Sequence, residues 1–126
     1  VVAGSVSETD KAQKIFNWVQ SNVAYTGAYV GTGMSPLEVL KPSCRGNSCD
    51  QARIVNAFCK ITGLNCRYHL ALCKLKDYGQ FDHVWTDIKV DGKWLSADTT
   101  SKENKLGTTT YSTIVDDYGC FDILNC

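Results

Sequence analysis

The chain has 126 residues, long enough for one domain with a real core and too short for two. Its 13 basic and 13 acidic residues cancel, so no charge field draws it to nucleic acid or to an anionic membrane. No apolar run approaches the roughly 20 residues that a membrane-crossing helix needs. The opening Val1-Val2-Ala3-Gly4-Ser5 has neither a methionine nor a basic n-region. Residues 1–126 therefore read as a single catalytic domain excised from a longer protein.

The first predicted element is a helix over residues 8–21. Ser7-Glu8-Thr9-Asp10 resembles a capping box, and Ala12, Ile15, Phe16 and Val19 follow at helical spacing. Asn22 to Tyr25 reads as a short extended segment, and Tyr29 to Gly33 as a glycine-bearing loop. Ser35-Pro36 is an N-cap with proline at the first helical position, opening a short helix through Leu37, Val39 and Leu40. Pro42 stops it.

The central element is a helix from Ser48 to Thr62, with a Gly46-Asn47 turn before it and Gly63 behind. A nucleophile on its first turn would have backbone N–H groups and the positive dipole end beside it, which lower a thiol's pKa and stabilise an oxyanion. Ser48 shares a stripe with Ala52, Val55 and Cys59, the apolar one that packs inward. Cys49 shares a stripe with Arg53, Asn56 and Lys60, the polar one. A catalytic side chain must meet partners from elsewhere in the fold, so helix geometry favours position 48.

Beyond Gly63 the pattern changes to period two. Cys66 to Cys73 reads as a strand, Asp77 to Gln80 as a turn, and Phe81 to Val90 as a second strand. Asp91-Gly92 is a type I′ hairpin turn, and Lys93 to Thr99 a third strand. Pairing across that turn joins residues whose numbers sum to about 183. Trp85 then faces Asp98, and His83 comes within one or two residues of Asp98. A carboxylate beside an imidazole on a neighbouring strand fixes its tautomer. Alone, His83 could be a satisfied strand histidine and Asp98 a turn cap before Thr99-Thr100; their pairing makes catalysis the stronger expectation. His69 has no equivalent partner and reads as a solvent-side or loosely packed strand residue. Trp85 and Trp94 read as core aromatics, and Asp50 as a first-turn helix charge. Thr108 to Tyr111 is a candidate strand; Ile114-Val115 and Phe121 to Leu124 read as edge strands or a final packing segment.

Seven cysteines occur, Cys44, Cys49, Cys59, Cys66, Cys73, Cys120 and Cys126, with no CxxC pair to suggest a zinc ribbon or a thioredoxin-like motif. Cys59 and Cys66 lie in apolar patterns where a reduced thiol packs well, so mostly free cysteines in a monomer are expected. Asp116, Asp117 and Asp122 could join a calcium site, but two adjacent acids without a defined loop read as a surface acidic turn. No metal site is assigned, and the chemistry needs no cofactor.

The order nucleophile, histidine, aspartate suits acyl transfer. A thiolate attacks a carbonyl carbon, the imidazole holds the proton, and the carboxylate orients the imidazole. Here the chain resembles a known family. Gly46, position 48, Asp50, Ala52, Gly63, His83-Val84-Trp85, Asp91-Gly92-Lys93-Trp94 and Ala97-Asp98 look like the transglutaminase-like (papain-like) cysteine-enzyme superfamily. The likeness spans about residues 45–100, with weaker correspondence in the first helix and Tyr25. It implies an α+β fold in which a helix carrying the nucleophile at its N-terminus packs on an antiparallel sheet. Within the superfamily, His83 to Trp85, Asp91 to Trp94 and Ala97 to Thr100 look most like the pseudomurein endoisopeptidases of methanogens and archaeal viruses. That resemblance implies cleavage of an alanine–lysine isopeptide bond in cell-wall peptide, by a viral or host-encoded lytic protein acting on the wall.

The family's cysteine falls on position 48, where this chain has serine. Either Ser48 replaces the nucleophile in an inactivated form, or Cys49 is the nucleophile in a shifted register, or a serine nucleophile is native here. Both flanking anchors and the helical stripe point to 48. The oxyanion donors would be the backbone N–H of residue 48 and one side chain, with Tyr25 or Tyr29 as candidates beside the reading of each as a core tyrosine. The rival functions are a transglutaminase or amidase with the same triad, and a cell-wall-binding module that lost its nucleophile.

Overall fold

In the computed structural model, residues 7–25, 45–46, 48–75, 79–101, 104–108 and 112–122 are described, apart from the side chains at 24, 25, 45, 48, 49, 75, 81 and 112. The loop and short helix expected over residues 29–40, together with Tyr29, Cys44 and Cys126, lie outside the described residues.

Ser7 caps helix α1 (Glu8–Asn22): its Oγ accepts the Asp10 N–H at 3.1 Å, and Glu8 and Asp10 set negative charge on the first turn. Ala12, Ile15, Phe16 and Val19 are all buried, as their spacing requires. Helix α2 runs Ser48–Thr62 and closes through Gly63, whose φ of +80° lets Leu64 N–H reach back to the Cys59 carbonyl at 2.9 Å. The two helices pack together through Ile15, Phe16, Val19, Ile54, Val55 and Cys59.

Two short strands, β1 (Ala24–Tyr25) and β2 (Arg45–Gly46), pair in parallel, setting Tyr25 opposite Gly46 just before α2. The main sheet holds β3 (Cys66–Leu75), β4 (Gly79–Val90), β5 (Lys93–Ala97) and β6 (Ser112–Phe121) in the order β5-β4-β3-β6, with antiparallel neighbours. The fold is therefore α+β. Asp91 and Gly92, at φ +50° and +83°, make the I′-like turn, and Val90↔Lys93 through Thr86↔Ala97 reproduce the expected hairpin register. Among the described residues, no helix is long and apolar enough to cross a membrane.

Alternation gives the sheet two different faces. Val84, Thr86, Ile88 and Val90 of β4 turn towards the helices, with Ala52 against Val84 and Val55 clustered with Ile88. The Thr86 hydroxyl lies 3.0 Å from the Ala52 carbonyl and 2.6 Å from Asn56 Oδ1. Asn56, assigned to the polar stripe from sequence, is thus buried, because a threonine on the sheet gives its amide a partner. His83, Trp85 and Asp87 point to the opposite face, together with Arg67, His69, Ala71 and Cys73 of β3.

Three further expectations change. Trp94 is exposed on that second face beneath the Arg67 guanidinium, 4.0 Å from its ring centroid, whereas Trp85 is a buried aromatic as expected. Asp116-Asp117 belongs to edge strand β6 between two register irregularities, not to a turn. Asp50 is on the first turn of α2 but fully buried, 3.9 Å from Arg53. Cys59, Cys66, Cys73 and Cys120 are free thiols, in keeping with the reduced chemistry expected of them.

Candidate active site

The site forms where β4 outruns β5. The hairpin register ends at Ala97, and Asp98 turns out of the strand and back towards His83. His83 Nε2 lies 2.7 Å from Asp98 Oδ2, and both side chains are about 1% exposed. The other carboxylate oxygen, Oδ1, accepts the Thr100 hydroxyl at 2.6 Å and the Thr100 N–H at 3.2 Å. Asn104 Nδ2 donates to the Asp98 carbonyl at 3.2 Å, so the turn is fixed from its far side too.

Burial alone would push the Asp98 carboxyl up. The charge and hydrogen bond of His83 and the two bonds from Thr100 outweigh that penalty and hold it below the usual carboxylate range. The aspartate is therefore an ionised, fixed acceptor for one imidazole nitrogen.

Helix α2 reaches this corner by its direction. Ala52 sits on Val84, Asn56 is bonded through Thr86, and Val55 and Cys59 pack with Ile88, so α2 and β4 run in the same sense. Position 48, one turn before Ala52, falls level with the His83 end of β4. Gln51, on that first turn, accepts the Thr99 hydroxyl at 2.7 Å and donates to the Val23 carbonyl at 3.4 Å. One buried amide thus ties the start of α2 to the residue after Asp98 and to the chain entering β1.

His83 and Asp98 are brought together, and the backbone of Ser48 is placed at their end of the sheet. The side chains of Ser48, Cys49 and Tyr25 lie outside the described residues, though β1–β2 pairing puts the Tyr25 backbone two residues from position 48. Sequence reasoning missed Thr100, Thr99 and Gln51. The signal for Thr100 was present: Asp-x-Thr is a spacing at which a side chain bonds back onto the turn.

None of the other described thiols suits the nucleophile's role. Burial, then the charges of Asp98 and Asp117, pushes Cys73 up to about 11. Cys59 is pushed up by its hydrogen bond with Cys66 and by burial; the same bond lowers Cys66, which stands five pairs along the β3–β4 ladder from His83. Burial also raises Cys120.

His69, expected to be solvent-side or loosely packed and without a partner, has partners on both ring nitrogens. Its Nδ1 lies 2.9 Å from Asp87 Oδ2, its Nε2 lies 2.8 Å from both oxygens of Asp117, and its ring stacks on Trp85 at 4.4 Å. The β3–β4 register, in which paired residues sum to 154, sets His69 opposite Trp85 and diagonal to Asp87. Without a two-residue turn to anchor it, that register was not legible.

The chain is an α+β fold whose antiparallel sheet carries a buried imidazole–carboxylate pair, a pair of the kind that acyl transfer uses. The sequence pattern of the Transglutaminase-like superfamily matches residues 1–99, and the chain belongs to that family. No curated protein sequence matches it. Among solved structures it is similar to one named "a Putative Cysteine Protease from Cytophaga hutchinsonii", at 19% identity and a TM-score of 0.69. The match covers 94% of this chain and 38% of that one, so the chain spans well under half the length of that relative. At that identity the likeness establishes the fold.

Proposed function

We propose that the chain is the catalytic domain of a cysteine-peptidase-type hydrolase, with position 48 as the nucleophile's place, His83 as acid–base and Asp98 as its orienter. The observation that carries this is the 2.7 Å His83–Asp98 pair, buried at the end of the sheet to which α2 points its N-terminus. The solved structure's name, naming a cysteine protease, supports the class. Asp98 engages Nε2, so Nδ1 is the atom through which His83 exchanges a proton with the nucleophile.

A thiol at position 48 gives its proton to Nδ1 and attacks the carbonyl carbon. The oxyanion accepts the N–H of residue 48 and, in this reading, a hydroxyl from Tyr25. Collapse breaks the C–N bond, and the departing amine takes the proton from His83. Water, deprotonated by His83, then hydrolyses the thioester. No cofactor enters these steps. The substrate is the alanine–lysine isopeptide bond of pseudomurein, and the place of action the archaeal cell wall; both rest on the resemblance of His83 to Trp85, Asp91 to Trp94 and Ala97 to Thr100. Ser48 makes the chain as it stands nearly inactive, because a hydroxyl beside imidazole ionises far less readily than a thiol.

The shifted register keeps one observation in its favour. Asn56, on the same stripe as Cys49, is buried, so that stripe is not uniformly solvent-facing. The experiment is a comparison of the native chain with Ser48→Cys, by alkylation across pH and by release of lysine amine from an isopeptide substrate. Fast, pH-shifted alkylation and cleavage only in Ser48→Cys is expected. Rapid labelling of Cys49 in the native chain, with cleavage, would move the nucleophile to 49. No cleavage by either would favour a binding module, and isopeptide formation with added amine would favour a transglutaminase.

A further inference from the structure

On the face of the sheet opposite α1 and α2, beside the His83–Asp98 pair, lies a cluster that the proposed hydrolysis does not use. One ligand atom from each of His69, Asp87 and Cys120 lies within 4.8 Å of the other two, the residues being contributed by β3, β4 and β6. His69 and Cys120 are directly paired across β3–β6, and Asp87 stands on the neighbouring strand. We propose that His69, Asp87 and Cys120 form a binding site for a zinc-class divalent transition metal, with Asp117 orienting the histidine.

The geometry fits four-coordinate zinc. Bonds of about 2.0–2.3 Å to N, O and S in a tetrahedron set ligand atoms roughly 3.3–3.7 Å apart. The observed separations are 2.9 Å for His69 Nδ1 to Asp87 Oδ2 and 3.7 Å for Cys120 Sγ to Asp87 Oδ2, so a few tenths of an ångström admit the ion. Three protein ligands leave the fourth position for water or a substrate atom.

The surroundings are those of a supported metal site. His69 Nε2 faces the Asp117 carboxylate at 2.8 Å, the carboxylate–histidine–metal arrangement that fixes the tautomer with Nδ1 as ligand. Asp117 is itself held by the Gly119 N–H at 2.8 Å. Trp85 Nε1 donates to Asp87 Oδ1 at 3.0 Å and leaves Oδ2 as the inward oxygen. Asp87 is buried, with 7% of its side chain exposed.

A second observation points to a cation. Both His69 nitrogens lie within 2.9 Å of carboxylate oxygens, Asp87 on one side and Asp117 on the other, so two carboxylates converge on one ring. A proton on each nitrogen or a metal on Nδ1 satisfies both, so a metal between Nδ1 and Oδ2 competes with that proton. Arg67 Nε, 3.3 Å from the same Oδ2, is the competing cation; its guanidinium already stacks on Trp94 and is partly exposed, so it can withdraw. The Cys120 thiol would bind metal by releasing its proton to solvent as the S–metal bond forms, so affinity falls as the pH falls.

The test uses the chain as it stands, titrated with cobalt(II) chloride and then zinc chloride. We expect one cobalt per chain with a thiolate-to-cobalt absorption band, displaced by zinc, and a zinc-dependent rise in Tm. Cys120→Ser should lose the band and His69→Gln should bind far more weakly. Asp117→Asn, which keeps every ligand, should lose affinity by about 10- to 100-fold. Because other thiols could bind cobalt, a band of equal strength in folded Cys120→Ser overturns the proposal. So does the absence of any metal bound by the native chain at neutral pH. Should Cys120→Ser not fold, Asp117→Asn decides: unchanged affinity refutes the site. None of these readouts depends on peptidase activity, so failure here and failure of the proposed function are separately visible.

Discussion

The molecule carries two histidine–carboxylate sites on one face of one sheet, either side of Trp85, and they differ in what the carboxylates do. At His83 Asp98 engages Nε2, both side chains are buried, and Asp98 has its second oxygen occupied by Thr100. At His69 two aspartates engage both ring nitrogens, and the side chains run from buried Asp87 to half-exposed Asp117. In the proposed function, one carboxylate orients an imidazole for proton transfer. Two carboxylates commit both nitrogens, which suits holding a cation and not exchanging a proton.

The largest expected effect tests that division directly. In the Ser48→Cys background, His83→Ala should reduce kcat/KM for isopeptide cleavage by about ten-thousand-fold or more, as removal of a triad base does. His69→Ala should cost less than about tenfold, since its ring touches Trp85 and not the reacting atoms. Similar losses from the two substitutions would break the distinction between the sites. Asp98→Asn should fall in the range of His83→Ala, about ten-thousand-fold, by presenting the wrong tautomer.

A smaller effect falls on the residue behind the aspartate. Thr100→Val removes the 2.6 Å hydroxyl bond to Asp98 Oδ1 but keeps the side-chain shape. A hydrogen bond to a charged group contributes about 1.5–3 kcal/mol, so kcat should fall by roughly ten- to a hundred-fold with KM little changed. A rise in KM with kcat intact would mean that Thr100 positions substrate and not the triad.

How much of this the sequence disclosed follows the kind of contact involved. The ends of α1 and α2 were legible because caps are local: Ser7 with Asp10, and Gly63 with Leu64. The His83–Asp98 approach was legible because a two-residue turn fixes register for the strands it joins. His69 was not, because its partners come from β4 across a longer connection and from β6 across two register irregularities. Asn56 was misplaced for a related reason: a helical wheel sorts residues by polarity, and only the register of β4 reveals the threonine that meets its amide. Trp94 was misjudged because burial of an aromatic depends on which sheet face is covered, and its neighbour on that face is a guanidinium.

The smallest expected effect separates the two sites by the exposure of their carboxylates. Asp98 is held below the usual carboxylate range: burial opposes ionisation, but His83 and Thr100 overcome it. A depressed native pKa means the folded state favours the ionised form. The resulting stability is complete above the unfolded value of about 3.9 and is lost as the pH falls through the native one. Asp117 is lowered as well, by the Gly119 N–H and then by His69, yet its side chain is 48% exposed and solvent screens the gain. Urea unfolding followed from about pH 6 down to about pH 3 distinguishes them through the slope of stability with pH. Asp98→Asn should flatten the acid limb of that curve, and Asp117→Asn should leave it close to the native one. If the slope survives in Asp98→Asn and vanishes in Asp117→Asn, the exposed pair is the more strongly coupled to folding, and burial is not what separates the two sites.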